Sequence, residues 1–216
     1  MNSLILAILY LLSSYDLTIA RLKYDGGGDW YNDSDIIPNL AHELNRRTTL
    51  KVNPQQAIVS LDDENLFDYP FIFMTGHGNI VFSDYEVKRL REYLIKGGFL
   101  YADDDYGMDK YFRREIKKVF PGLELEELPF SHPIYHCFYD FPHGLPKIHK
   151  HDGKPPKGYG IFYEGRLVVF YTYETNISDG WTDAHDDPPD KREEAFKMGI
   201  NIIIYAMTCP PWQAAQ

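Results

Sequence analysis

Three short polar clusters in this chain carry residue types that could perform acid–base or metal chemistry. They are residues 24–30 (YDGGGDW), 76–79 (GHGN) and 103–107 (DDDYG). Each cluster follows a stretch that is typical of a β-strand, and in open parallel sheets ligands bind beyond the carboxyl ends of the strands. The sequence therefore predicts that the three clusters meet at one rim and line a ligand-binding cleft.

In two of these clusters, a histidine and three consecutive aspartates could act as general acids or bases. His77 lies between two glycines, which leave it room to contact a ligand, although a bond to a neighbouring strand is the structural alternative. Because side chains alternate along a strand, Asp103 and Asp105 are expected on one side and Asp104 on the other. Neighbouring like charges raise the pKa of one carboxyl toward values that suit general acid–base catalysis. A solvated helix N-terminus is the structural alternative for these aspartates.

Histidines are concentrated in one irregular segment. Five of the eight lie there, at His132, His136, His143, His149 and His151. A loop that folds over the rim would bring some of them to His77, and two imidazoles with one carboxylate can bind zinc or iron. We therefore take His77, Asp104 and His132 as candidate catalytic residues and as candidate ligands of a divalent metal. The metal itself stays unknown, because no H-E-x-x-H helix is present.

The other rim residues are predicted to bind a small-molecule, sugar or peptide ligand, since aromatic side chains stack on sugars and peptides. The glycine run at residues 26–28 lacks the G-x-G-x-x-G pattern, which disfavours a phosphate cradle. No G-x-S-x-G elbow is present, and Cys137 lies among aromatic residues as inert buried thiols do. The predicted ligand-binding residues are Tyr24, Asp25, Gly27, Asp29, Trp30, Gly76, Gly78, Asp103, Asp105, Tyr106, His151 and Asp152.

Strand and helix patterns alternate along the chain. Strands are predicted at residues 17–24, 50–52, 57–61, 71–74 and 99–102, and as a hairpin at residues 159–163 and 166–173. Ser34 or Asp35 is expected to begin one helix, a Ser83–Glu86 capping box the next, and helices through Phe112 and Gly199 follow. This alternation predicts a mainly parallel sheet in a three-layer α/β/α domain, with residues 129–157 as a lid-like loop.

Composition sets further limits. The chain has 216 residues, of which 44% are hydrophobic, and a net charge of −10, which disfavours nucleic acid as a partner. Cys137 and Cys209 allow at most one disulfide. The apolar run at residues 4–12 is typical of a signal peptide, although no Lys or Arg precedes it. We expect a signal peptide at residues 1–14, a single domain at residues 15–216 without a membrane span, and a periplasmic or secreted location.

Several motifs in order resemble one bacterial protein family. They are residues 24–33 (YDGGGDWYND), 75–78 (TGHG), 97–104 (GGFLYADD), 131–135 (SHPIY), 151–153 (HDG) and 199–208 (GINIIIYAMT). Between residues 17 and 208 the chain resembles the family called domain of unknown function 4159. The resemblance implies a class I glutamine amidotransferase-like fold, which is a flavodoxin-like sandwich, and it implies no activity.

The resemblance raises the question of whether the chain has the catalytic residues of a glutaminase. Glutamine amidotransferases carry a cysteine on a strand-to-helix elbow and a later His-x-Glu pair. The corresponding turn here, at residues 102–107, has no cysteine, and Ser131-His132-Pro133 is not followed by glutamate. We therefore expect that this protein is not a glutaminase.

Three functions stay open at this point. The first is an exported ligand-binding or scaffolding domain that keeps the cleft without the nucleophile. The second is a metal-dependent or acid–base hydrolase that uses His77 and Asp103–Asp105, with Asp25 or Asp29 orienting the substrate. The third is an interaction subunit of a cell-envelope complex, whose partner is a protein.

Overall fold

A computed structural model describes residues 15–208 of the chain. The predicted signal peptide at residues 1–14 and Cys209 lie outside these residues. The strands are β1 Ala20–Lys23, β2 Ala57–Ser60, β3 Phe71–Met74, β4 Phe99–Asp103, β5 Glu126–Glu127, β6 Lys157–Tyr163 and β7 Arg166–Tyr173. The α-helices are α1 Ile36–Arg47, α2 Asp84–Ile95, α3 Asp109–Val119 and α4 Pro189–Thr208.

The strands form one sheet in the order β2-β1-β3-β4-β7-β6-β5. The first five of these strands run parallel, and β6 is antiparallel to both β7 and β5. The predicted α/β class with a mostly parallel sheet is therefore confirmed. The chain moves outward from β1 to β2 and then returns to the other side of β1 as β3, so the strand order reverses between β1 and β3.

Helices cover both faces of the sheet, because apolar side chains alternate along the central strands. Phe71 and Phe73 face the core formed with α1 and α4. Ile72 and Met74 face the core formed with α2 and α3. Residues 71–74 are apolar without interruption because both faces of β3 are buried.

The predicted helix starts are confirmed for α2 and differ in detail for α1. Ser83 Oγ accepts from the Glu86 amide, and the Glu86 carboxylate accepts from the Ser83 amide at 2.7 Å. Asp35 lies at the N-cap position of α1, but its side chain accepts from Thr182 and the Asp183 amide instead. Asp35 therefore ties α1 to the segment before α4.

Two irregular regions depart from the predicted elements. Residues 50–52 form only an isolated bridge between Val52 and Leu17, and the two-residue strand β5 was not predicted. The first part of the expected lid packs on α4, since the buried Asn201 amide donates to the carbonyls of Ile134 and Tyr139. Only the later part, near residues 149–152, reaches the carboxyl edge of the sheet.

No helix within residues 15–208 is long and apolar enough to cross a membrane.

Candidate functional site

The carboxyl ends of β1, β3, β4 and β7 open into one cleft of about 530 Å³. We call it the acid–histidine cleft, because acids, amides and four histidines supply most of its lining. It lies beside the point where the strand order reverses, which is where open α/β sheets place ligands. Its lining residues are Asn32, Asp33, His77, Asp105, Tyr106, His149, Lys150, His151, Asn176, Asp179 and His185.

His77 is held in the cleft by two carboxylates. Its Nδ1 lies 3.1 Å from Asp29 Oδ2 and 3.4 Å from Asp105 Oδ2, while its amide donates to Asp29 Oδ1. Gly76 makes this turn possible, since its φ is +134° and a Cβ there would lie 2.5 Å from the Tyr24 hydroxyl. The carboxylates fix the ring through Nδ1, so Nε2 is the nitrogen available to a ligand.

A buried arginine positions the loop after β1. Arg21 is 1% exposed, and its guanidinium donates to the backbone carbonyls of Trp30, Asn32 and Asp33. Burial lowers the pKa of Arg21 to about 10, so the group stays charged at neutral pH. Arg21 thereby holds the segment that brings Asn32 and Asp33 to the cleft.

The three consecutive aspartates divide as strand alternation predicts. Asp103 accepts from Thr172 and from the Ser178 amide, and Asp105 accepts from Asn32 and Asn176. Asp104 points to the other side, where its Oδ1 accepts from the amides of Met108 and Asp109 at the start of α3.

Burial makes these carboxyls weaker acids. It raises the pKa of Asp103 to about 6 and that of Asp104 to about 7. It also raises the pKa of Asp105, to which the charges of Asp179 and Asp103 contribute further. Asp105 is the member of the triplet that lines the cleft and contacts His77, so it is the one suited to proton transfer there.

A second acid–histidine group lines the same cleft. His149 Nδ1 is 2.9 Å from Asp179 Oδ2, and its Nε2 is 3.0 Å from Asp187 Oδ2. The hydrogen bond that His149 donates to Asp179, with Asp187 nearby, raises the pKa of His149 to about 9. Burial alone would raise the pKa of Asp179, but bonds from His149 and Asn176 hold it below its usual value.

Backbone strain is concentrated at this cleft. Five residues other than glycine have a positive φ within residues 15–208, and three of them, Asp33, Tyr106 and Asn176, line the cleft. Such residues cost free energy and persist where surrounding contacts fix them. The bonds that Arg21 donates to the Asp33 carbonyl and that Asn176 donates to Asp105 supply this support.

The structure brings together only part of the predicted site. Asp29, His77, Asp105, Tyr106 and His151 meet at the cleft or its edge, as the rim hypothesis expects. Asp152 lies at the margin, where it accepts from the Tyr106 hydroxyl at 3.2 Å.

Other predicted residues serve the framework of the rim. Tyr24 is buried and its hydroxyl donates to the Thr75 carbonyl, while Asp25 pairs with Val81 on the far side of the β1 loop. Trp30 packs edge-on against Tyr31. Gly27, Gly76 and Gly78 all have positive φ and supply turn geometry.

His132 is not brought to the cleft, which corrects its place among the candidate catalytic and metal-binding residues. It is fully buried between the rings of Phe162 and Tyr205, beside the amino ends of the strands. Burial lowers its pKa to about 4. The reason is that residues 129–141 pack on α4 instead of folding over the rim. Asp104 also points away from this cleft, because its carboxylate accepts a hydrogen bond from an amide at the start of α3.

Sequence reasoning missed seven residues of the cleft wall, among them Asn32 in the β1 loop and Lys150 between two loop histidines. Asp33 lies in the β1 loop next to predicted residues, whereas Asn176, Asp179 and His185 lie in a stretch without periodicity. His149 was grouped with the other loop histidines and not singled out. The only available signal was the density of polar residues after β7, at a strand end that belongs to the same rim.

Comparison with protein families gives a match over most of the chain. The model of a family described as a domain of unknown function, DUF4159, matches residues 18–207. A search of curated proteins found no match to the chain.

Proposed function

The chain belongs to the DUF4159 family. We propose that it is an exported ligand-binding domain with a flavodoxin-like fold of the class I glutamine amidotransferase type. In this proposal the domain lacks the nucleophile of a glutaminase. The acid–histidine cleft is its binding site. The observation that carries this proposal is the convergence of exposed aromatic and hydrogen-bonding groups at the point where the strand order reverses.

Strand order supports the flavodoxin-like part of the proposal. The parallel strands β2, β1, β3, β4 and β7 follow the 2-1-3-4-5 order of flavodoxin-like sheets when they are counted along the chain. Helices on both faces complete this arrangement.

The turn after β4 supports the absence of glutaminase chemistry. Tyr106 lies on this strand-to-helix turn with a φ of +58°, between Asp105 and Gly107. A nucleophile elbow uses a strained turn of this kind to present its reactive side chain. A phenol held there is a surface for stacking and a hydrogen-bond donor.

The cleft favours a hydroxyl-rich ligand such as a sugar. Asn32 Oδ1 is a buried acceptor without a hydrogen-bond partner in the part of the chain that the structure describes. His151 lies beside Asn176, but neither its ring nitrogens nor Asn176 Oδ1 make a well-formed hydrogen bond. The two amide oxygens and one nitrogen of the neutral His151 ring can accept bonds from hydroxyls, and the other ring nitrogen can donate one. The ring of Tyr106, which is 54% exposed, can stack on a sugar face.

Saturation-transfer NMR on the full chain tests this proposal with a panel of neutral oligosaccharides and tripeptides. We expect at least one oligosaccharide to bind, and Tyr106→Ala to weaken that binding about 3- to 10-fold, because stacking contributes about 0.5–1.5 kcal/mol. Tyr85→Ala, at another exposed tyrosine, is the matched control. Absence of binding by every panel member at millimolar concentration contradicts the proposal.

Hydrolysis is a second candidate function, and the geometry of His77 favours it. Asp29 and Asp105 hold its Nδ1, which leaves Nε2 facing the cleft as a general base would. No described residue bonds this nitrogen. In this function His77 activates water, and Asp105 is the acid whose pKa burial raises.

Chromogenic glycosides and esters test the second function. If it is correct, His77→Gln and Asp29→Asn each lower the turnover of a hydrolysed substrate at least about 100-fold without lowering the melting temperature. His42→Gln, at an exposed position on α1, controls for the loss of one histidine. An unfolded His77→Gln variant would show that this residue is structural, and unchanged turnover would exclude it from the reaction.

A further inference from the structure

We propose that Asp33, Asp179 and His185 form a binding site for a divalent transition-metal ion on one wall of the acid–histidine cleft. One ligand atom from each side chain lies within 4.8 Å of the other two. Two carboxylate oxygens and one imidazole nitrogen suit zinc, manganese or iron(II). The site is separate from His77, Asp104 and His132, which the sequence suggested as ligands.

The distances fit metal ligands better than hydrogen bonds. His185 Nε2 lies 3.6 Å from Asp33 Oδ2 and 3.8 Å from Asp179 Oδ2, and both distances exceed that of a good hydrogen bond. Two ligands about 2.1 Å from a tetrahedral zinc ion lie roughly 3.4 Å apart. A small contraction of the three side chains therefore closes them around one ion.

One oxygen of the Asp179 carboxylate supports the presence of an ion at this site. Asp179 is 3% exposed, and its Oδ1 is buried without a hydrogen-bond partner among residues 15–208. An unpaired carboxylate oxygen in such a place is costly. An ion that Asp179 binds through both carboxylate oxygens would satisfy Oδ1 as well as Oδ2, the oxygen 3.8 Å from His185 Nε2.

The surroundings hold the ligands as metal sites require. Asp179 Oδ2 accepts from Asn176 at 2.7 Å and lies 2.9 Å from His149 Nδ1, so the carboxylate is fixed from behind. Arg21 fixes the other side by holding the Asp33 carbonyl. Such supporting bonds orient ligands and increase metal affinity.

The ligands are also accessible to an ion from solvent. The side chain of His185 is 41% exposed and that of Asp33 is 20% exposed, whereas Asp179 forms the buried floor. The arrangement leaves the solvent side of the ion open to water or to a ligand in the cleft, which is the pattern of catalytic and ligand-binding metal sites rather than of closed structural ones.

Metal analysis of the full chain tests the site. Protein without a histidine tag is stripped with EDTA, reloaded with Zn²⁺ or Mn²⁺, and measured by mass spectrometry and titration calorimetry. We expect about one ion per chain, and at least about a 10-fold loss of affinity in His185→Gln and in Asp179→Asn. His185 is the primary variant because its side chain is 41% exposed, whereas Asp179 is buried.

Two matched variants make the result specific. His136→Gln removes a histidine that pairs with Asp140 away from the cleft, and His42→Gln removes an exposed one on α1. Both should bind the ion with the affinity of the unsubstituted chain. Failure to bind either ion, or binding that His185→Gln leaves unchanged, overturns the proposal. No organic ligand is present, so this outcome is independent of the oligosaccharide test.

Discussion

Histidines in this protein differ in chemistry because their surroundings differ. His132 is enclosed by Phe162 and Tyr205, and burial lowers its pKa to about 4. His149 lies between Asp179 and Asp187, and these carboxylates raise its pKa to about 9. Both belong to the histidine-rich segment, so the sequence alone does not distinguish a histidine of the core from one of the cleft.

The burial of His132 predicts a specific loss of stability in acid. The unfolded chain binds a proton at this residue below about pH 6.5, whereas the folded chain does so only below about pH 4. The contribution of His132 is therefore fully present above pH 6.5 and is lost as the pH falls toward 4. Between pH 7 and pH 4 the free energy of unfolding should fall by about 3 kcal/mol more than in His132→Phe.

Urea unfolding at several pH values measures this difference. His132→Asn is a second variant, because asparagine can replace the acceptor that His132 Nδ1 offers to the Ile134 amide. His42→Asn, at an exposed histidine, should keep the acid-dependent loss seen in the unsubstituted chain. Parallel pH profiles for the unsubstituted chain and both His132 variants would contradict a buried neutral imidazole.

The start of α3 depends on Asp104, which the sequence suggested as a catalytic residue. Its Oδ1 accepts from two helix amides, at 3.0 and 3.2 Å. At about pH 4, below the range in which ionisation of this carboxyl costs stability, Asp104→Ala should lower the free energy of unfolding by about 1–2 kcal/mol, because both amides lose a partner. Asp104→Asn keeps the acceptor and should lose less.

The pH dependence of stability tests the burial of the Asp104 carboxyl. Because burial raises the pKa of Asp104 to about 7, its ionisation costs stability as the pH rises from about 4 to 7. The free energy of unfolding of Asp104→Asn should therefore rise relative to that of the unsubstituted chain between pH 5 and pH 8. Asp84→Ala, at the start of α2 where Ser83 makes the cap, is the control. Equal losses in Asp104→Ala and Asp84→Ala would argue against the capping role.

Strand β1 and the loop that follows it are coupled through Arg21. Lysine has a single ammonium group, which cannot reach three carbonyls as the guanidinium does. Arg21→Lys should lower the free energy of unfolding by about 2–3 kcal/mol and speed amide exchange at residues 29–33. Arg89→Lys is the matched control, since Arg89 donates to two carbonyls far from the cleft. Unchanged amide exchange at residues 29–33 would show that the loop keeps its conformation without the Arg21 guanidinium.

The sequence predicts the elements better than it predicts the site. Strand β3, the α2 capping box and the hairpin of β6 and β7 follow from local patterns, so they appear where expected. The packing of residues 129–141 on α4 does not, because it depends on Asn201, whose side chain bonds that segment from α4. The wall that contains Asp179 and His185 depends in the same way on distant contacts, such as the one between Asp35 and Thr182.

Across the domain, the proposed metal site would join segments that are far apart in the chain. Asp33 follows β1, Asp179 follows β7, and His185 precedes α4. An ion bound to all three requires the folded sheet, so the unfolded chain cannot offer this site. Binding to the folded state alone stabilises a protein in proportion to the logarithm of the ion concentration.

The last prediction follows from this linkage. Zn²⁺ or Mn²⁺ at about 100 times its dissociation constant should add about 2.7 kcal/mol to the free energy of unfolding, which raises the melting temperature by about 5–10 °C for a domain of this size. EDTA should reverse the shift, and His185→Gln should abolish it while keeping the melting temperature of the metal-free chain. His136→Gln should shift like the unsubstituted chain. An equal shift in His185→Gln would place the stabilising ion elsewhere, because only a site that joins these three segments couples this histidine to the stability of the whole sheet.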